Sequence, residues 1–327
     1  MKLIARILGL VALALASLSC YSQAGAWKPA KNVELISPAS PGSGSDRAMR
    51  VMQKILQDKR LIDMTSSVVN KPGAGQGVGF FYLNQHAGDG HYLAPASPSF
   101  LASNLVGTQP IGHADVTPLA LLMTEHIAFT VNAASPIRNG RDLLDKLRKD
   151  PGAVSIAVAP SIGNHEHIAF ILVAKASGID LKKVKTVVFN GTGESATAVM
   201  GGHVDFMVSP PSSVAAAAAG GKLRIIAVSA SQRLRGTLAA APTWKEQGVD
   251  VVSAGWRGIV GPRGLNKVQI AYWEAVFDKL VQAPEWKEEV ENNYWDNNYL
   301  PGEEFRKFLQ ARNDEMKQIL IELSLAK

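Results

Sequence analysis

Two stretches of this chain repeat one local design, and that design leaves few folds open. Val33–Ala39 is a short apolar run that ends in Ser40-Pro41-Gly42-Ser43-Gly44-Ser45, and a helical pattern begins at Asp46. Val154–Ala159 is a second such run; it ends in Pro160-Ser161-Ile162-Gly163, and another helical pattern begins at Asn164. A strand that feeds a glycine/serine loop and then a helix is the building unit of α/β sheets. The same unit aims the start of a helix, with its unpaired backbone N–H groups and positive dipole end, at the tip of the strand. That is a site for a phosphate or a carboxylate. More than a hundred residues separate the two units, so they are free to sit on different lobes and close on one anion.

The rest of the chain keeps the alternation. Strands are expected at Val33–Ser37, Ser67–Asn70, His91–Ala96, Ala120–Asn132, Val154–Ala159, Val184–Phe189, Phe206–Ser209, Leu223–Ser229 and Gly255–Val260. Among the helices between them, Asp46–Asp58 sets Met49, Met52, Ile55 and Leu56 on one face. Arg141–Lys149 follows the cap Asn139 and stops before Pro151, and Ile168–Ala176 stops at Gly178. The class is doubly wound α/β, with parallel sheets covered on both faces. Ala120–Asn132 is long for one strand, and a crossing between lobes explains it. With that crossing near Glu125 and the return near Asp250, residues 27–125 plus 251–327 form lobe 1 and residues 126–250 form lobe 2. From Asn266 the chain reads as helical, interrupted at Pro284 and Pro301.

Residues 1–26 read as a secretory signal: Lys2 and Arg6, the apolar run Ile7–Leu18, then the cleavage site Ala24-Gly25-Ala26. The alternative is a lipid acceptor at Cys20, against which stands Ser17, three residues earlier, where such a site has leucine. Cleavage after Ala26 removes the single cysteine, and with it disulfides, thiolate metal sites and cysteine nucleophiles. About 300 residues remain, a length for two domains, destined for the periplasm. The formal charge of +6 falls to +4 without Lys2 and Arg6, and no run of five or six basic residues exists, so no nucleic-acid partner is expected.

Each motif has a plain reading beside the functional one. Gly42-Ser43-Gly44-Ser45-Asp46 lets backbone approach a ligand and offers hydroxyls, or it is simply a capped helix with Ser43 or Ser45 as cap. Asp46 in the first turn serves the dipole and a partner, Arg47 or Arg50. Asn70-Lys71-Pro72-Gly73-Ala74-Gly75-Gln76-Gly77 matches neither the P-loop nor the dinucleotide fingerprint. Gly191-Thr192-Gly193-Glu194-Ser195-Ala196 fits G-x-G-x-x-A but lacks the acidic residue about 20 positions on. His165 and His167 point to different helix faces and no third ligand stands out, so neither a metal nor any other cofactor is expected. His165 at a helix start is placed to donate to an anion, or is a satisfied surface histidine. Asp205 faces the cleft or caps a turn. No G-x-S-x-G elbow is present.

Taken in order, several stretches resemble the periplasmic solute-binding proteins of tripartite tricarboxylate transporters, the Bug receptor family. They are Pro38–Asp46, Asn70–Gly75, Asp89-Gly90-His91-Tyr92, Asp150-Pro151-Gly152, Ser161-Ile162-Gly163, Gly201-Gly202-His203-Val204-Asp205, Leu223–Val228, Pro242-Thr243 with Glu246 and Gly248, and Trp256-Arg257-Gly258. The resemblance implies a type II periplasmic binding protein fold, two doubly wound lobes joined by a hinge, closing on a carboxylated metabolite that is passed to membrane permease subunits. It implies that the first loop and the loop matching Ser161–His165 form a pincer on one carboxylate, partly through ordered water. Ser43 and Ser45 depart from the glycine run the family usually has before the aspartate.

The reading is therefore a monomeric binding protein for a small carboxylate, performing no reaction. Its candidate ligand contacts are Ala39, Ser40, Ser43, Gly44, Ser45, Gly75, Ser97, Ser161, Gly163, Asn164, His165, Asp205 and Ser209. The rival class is a secreted α/β hydrolase acting on a small carboxylate ester or amide, and no activated serine is visible to support it.

Overall fold

A computed structural model describes residues 27–41, 43–159, 162–189 and 191–322. The expected signal sequence at residues 1–26, with Cys20, and Ser161 lie outside the described residues.

Most of the continuous apolar runs become strands buried on both faces, while Lys185–Val188, at a sheet edge, stays largely exposed. In the first sheet the order is β11-β4-β10-β3-β1-β2, with β1 (Val33–Ser37), β2 (Ser66–Asn70), β3 (Tyr92–Ala96), β4 (Val116–His126), β10 (Ala254–Pro262) and β11 (Trp295–Pro301). Successive residues face opposite sides. Leu35, Leu93 and Ile259 join a core with α1 (Gly44–Asp58) and α8 (Lys267–Gln282). Ile36, Ala94 and Val260 join another with α2 (Gly77–Gln85), α3 (Pro98–Leu105) and α10 (Gly302–Glu322). The α1 face formed by Met49, Met52, Ile55 and Leu56 is buried as its spacing predicts.

The second sheet has the order β7-β6-β8-β5-β9, from β5 (Ala128–Asn132), β6 (Ser155–Val158), β7 (Lys185–Val188), β8 (Phe206–Ser209) and β9 (Leu223–Val228). Its faces carry α4 (Gly140–Lys149), α5 (His165–Ala176), α6 (Thr192–Met200) and the short α7 (Ala215–Ala219). Asn139 caps α4 by accepting from the Asp142 N–H, and Gly178 leaves α5 with φ +70°, the left-handed turn a helix stop needs.

Three features differ from expectation. Both sheets are mixed: β10 runs antiparallel to β3 and β4, and β5 antiparallel to β8 and β9. The Ala120–Asn132 run is two strands in two sheets, broken at Ile127. The C-terminal part contains β11, which pairs antiparallel with β4; the interruption expected at Pro284 is present, because α8 ends at Gln282 and Pro284 opens the separate helix α9 (Pro284–Asn292). The polar run Asp296-Asn297-Asn298 hides β11 in the sequence, because an edge strand needs no apolar alternation on its open face.

The two crossings between the sheets meet at Ser229, which is fully buried. Its N–H donates to the Ile127 carbonyl at 2.9 Å and its Oγ accepts from the Ile127 N–H at 3.1 Å. The Ser253 N–H donates to its carbonyl at 3.0 Å, and its hydroxyl donates to the Ser253 carbonyl.

Candidate functional site

A cleft of about 480 Å³ lies between the sheets, walled by residues that follow the C-terminal ends of β1, β3, β6, β7 and β8. That is where loops of open α/β sheets converge. Four helices begin on its wall: α1 after Ser43, α3 after Ser97, α5 after Asn164 and α6 after Gly191. The opening amides of a helix have no partner inside it. Among the described residues Ser43 Oγ takes only the Asp46 N–H, and Asn164 Oδ1 only the His167 N–H. The amides of Gly44, Ser45, Ser99, His165, Glu166, Thr192 and Gly193 have no partner among the described residues, and all seven residues line the cleft. The arrangement concentrates N–H donors and positive dipole ends on one volume, which suits an anion.

Behind the amides sits a buried group of charged and polar side chains. Arg257 Nη2 lies 3.5 Å from Glu125 Oε2, and Trp295 Nε1 donates to Glu125 Oε1 at 3.1 Å. His165 Nε2 is 4.0 Å from Glu125 Oε2 and 3.9 Å from Glu166 Oε1, so two carboxylates converge on one imidazole. Asn164 Nδ2 donates to Glu166 Oε2 at 2.6 Å. Burial pushes the Glu166 carboxyl up to about 8, and the nearby Glu125 adds to the rise. Burial lowers His165 to about 4, with Glu125 opposing and Arg257 assisting, so the ring is neutral at pH 7. Neither ring nitrogen of His165 has a hydrogen-bond partner among the described residues. Among the described residues no three His, Cys, Asp or Glu side chains group to hold a metal ion.

Of the residues proposed from sequence, the structure brings Ala39, Ser43, Gly44, Ser45, Ser97, Asn164 and His165 together on the cleft wall. The Asn164 side chain is fully engaged: it also donates to the Ala159 carbonyl at 2.5 Å, so it shapes the loop and leaves ligand donation to the amides beside it. Gly163, at φ +81°, donates to His167 Nδ1 at 3.0 Å, a turn role. Gly75 is likewise a turn residue at φ +56°; the cleft position belongs to its neighbour Gln76, held at φ +80°. Ser40 is exposed and its carbonyl closes the turn to Ser43, while Ser209 is wholly buried and its hydroxyl donates to the Pro210 carbonyl. Asp205 sits away from the cleft, because it precedes β8 and so lies at the opposite strand end. Its carboxylate accepts from the Ser155 N–H and Oγ, both at 2.8 Å, and from Lys146 at 3.4 Å. Burial raises its pKa, but these partners outweigh that and hold it low. Sequence reasoning assigned no ligand role to Glu125, Glu166, Arg257, Trp295, Thr192 or Gly193. A charge inside an otherwise apolar strand run, as at Glu125 and Arg257, was the available signal.

Residues 48–325 match the family model for the tripartite tricarboxylate transporter family receptor. The chain belongs to this family. The receptor is 23% identical to protein BugT of Bordetella pertussis over 260 residues, 78% of each chain. Its structure matches MatC of Rhodopseudomonas palustris, solved with bound malate, at TM-score 0.73 and 18% identity, covering 89% of this chain and 99% of that one. It matches a second R. palustris protein, solved with adipate, at TM-score 0.77 and 18% identity, covering 91% and 99%. These likenesses establish the periplasmic binding protein fold. The family is one of solute-binding receptors, not enzymes, which sets aside the hydrolase alternative.

Proposed function

We propose that this receptor captures a small carboxylate in the periplasm and delivers it to the permease subunits of a tripartite tricarboxylate transporter. The observation that carries this reading is the convergence of four helix starts on one cleft, with Arg257 behind them. The malate and adipate bound by the two R. palustris proteins point the same way. In this reading residues 27–125 with 251–327 form one lobe and 126–250 the other. The first presents the amides of Gly44, Ser45 and Ser99, the second those of His165, Glu166, Thr192 and Gly193. Ser161 remains an expected contact of the second loop. Closure buries the carboxylate, which is tolerable only with several donors on it.

The test is to identify by mass spectrometry the small molecule that co-purifies from the periplasm, then titrate it calorimetrically. A carboxylate with a Kd in the micromolar range or tighter supports the reading. A bound cation or uncharged sugar, with no carboxylate binding across a broad panel, refutes it.

A further inference from the structure

Helix-start amides receive any carboxylate alike, so selection among carboxylates falls to the side chains of the cleft. Several of these are already engaged: Ser43 and Asn164 cap their helices, and Glu125 holds Arg257 and Trp295. Gln76 is not engaged. It lines the cleft, half-buried, and among the described residues neither end of its side-chain amide has a hydrogen-bond partner. Its Oε1 is enclosed by protein without a donor, a costly state for an amide oxygen.

The backbone beneath this side chain is costly too. Ala74, Gly75 and Gln76 follow one another at φ +46°, +56° and +80°. Residues with a Cβ enter this region singly, because the Cβ crowds the carbonyl. The turn is fixed from outside: a Cβ on Gly75 would lie 2.8 Å from Thr108 Cγ2, and one on Gly77 2.7 Å from Gln109 Cβ. Glycine is what this backbone favours at position 76, yet the chain places glutamine there. Strain held in place by its surroundings gathers where ligands are clamped.

We infer that Gln76 is a specificity-determining residue, whose side-chain amide hydrogen-bonds the captured solute at a polar group other than the carboxylate on the helix starts. The inference rests on the carboxylate-receptor reading and deepens it. A primary amide both donates and accepts, so it answers a hydroxyl or a second carboxylate but not a hydrocarbon end. A solute without such a group leaves the amide unpaired, which is how a site built for a hydrogen bond rejects an analogue that lacks it. The side chain turns onto the solute without breaking a hydrogen bond of its own.

The experiment titrates wild type, Gln76→Gly and Gln76→Glu calorimetrically at pH 7 with malate, succinate, citrate and adipate, and with butanoate and benzoate, which offer no second polar group. The ligand-free proteins are melted in parallel. Glycine adopts φ +80° without strain, so Gln76→Gly should keep or raise the Tm. The tightest polar member should nevertheless bind it tenfold or more weaker, and the preference for that member over butanoate and benzoate should shrink at least fivefold. Gln76→Glu keeps the length of the side chain but sets an acid beside an anion, and should weaken the dicarboxylates further than glycine does. Wild-type affinities and preferences in a folded Gln76→Gly variant overturn the inference and leave the receptor reading standing. An equal loss for every member, or a wild type that prefers butanoate or benzoate to every polar member, does the same. If no member of the panel binds the wild type, the carboxylate reading itself falls and this inference with it.

Discussion

Gly44→Val tests the cleft most directly, because the structure separates its effect on binding from its effect on folding. Gly44 is the first residue of α1 and its backbone is outside the left-handed region, so a side chain is conformationally allowed. A Cβ at this position lies 2.8 Å from Arg257 Nη2 and 3.5 Å from Cζ, where ordinary contact begins at 3.4 Å. The guanidinium must retreat by more than half an ångström, stretching a contact with Glu125 that is already 3.5 Å long. The valine methyls also cover the Gly44 and Ser45 amides. Each hydrogen bond to a charged ligand contributes about 1.5–3 kcal/mol, so losing one weakens binding roughly 10- to 150-fold. Folding should barely change, with Tm shifting by no more than about 3 °C, because Gly44 is exposed and nothing but a movable side-chain end opposes the new group. Calorimetry with the co-purified ligand, beside a thermal melt of the free protein, reads both quantities, and Gly44→Ala should fall between wild type and valine. A folded Gly44→Val protein with wild-type affinity removes this loop from the site.

Other expectations follow from the same geometry. Converting the ligand carboxylate to its amide or methyl ester should weaken binding at least tenfold, since the amides of the helix starts favour the charged form; equal titrations of acid and amide would dispose of the anion cradle. Saturating ligand should raise Tm by mass action and reduce the radius of gyration, and an unaltered small-angle scattering curve would rule out lobe closure. Glu166 also predicts a pH dependence of stability. Its folded pKa of about 8 is above the unfolded 4.5, so the stability it contributes is fully present below 4.5 and is lost as pH rises toward 8. Denaturant unfolding of wild type and Glu166→Gln at pH 5 and pH 8 should show the wild type losing up to roughly 4 kcal/mol relative to the variant; parallel pH profiles would contradict the burial of this carboxyl.

Much of the fold was legible because burial writes itself into short apolar runs. Val33–Ser37 and Phe206–Ser209 were read to the residue, and Asn139 was read as the cap it is. Two of the four helix starts of the cleft, those after Ser43 and Asn164, were legible from glycine, serine and asparagine following a strand. The inner wall was not. Glu125 and Arg257 lie in strands far apart in sequence, and β4–β10 register places Gly255 opposite Glu125, while β11 places Trp295 there too. Such pairing depends on long-range topology that no local pattern encodes. A family motif misled where it serves structure: Asp205 ties down β6 through Ser155 and is not a cleft residue. Glu246, another residue of the resemblance, holds Arg233 and the Thr243 N–H.

Ser229 gives the proposed closure its mechanics. Both connections between the sheets are fastened within the reach of one small residue, at Ile127 and at Ser253. A joint pinned at a single point swings but does not slide. The lobes of such a receptor therefore move by turning about that point, and a slight turn at the pin becomes a large displacement at the mouth, as with a long door on a short hinge. The gearing means that the open and shut forms differ little in internal packing near the joint, so a ligand need contribute only a modest preference to latch the door. Loosening the pin, as Ser229→Ala would, adds a sideways play that lets the jaws meet out of line. The loss would appear first as faster ligand escape, with the rate of arrival unchanged.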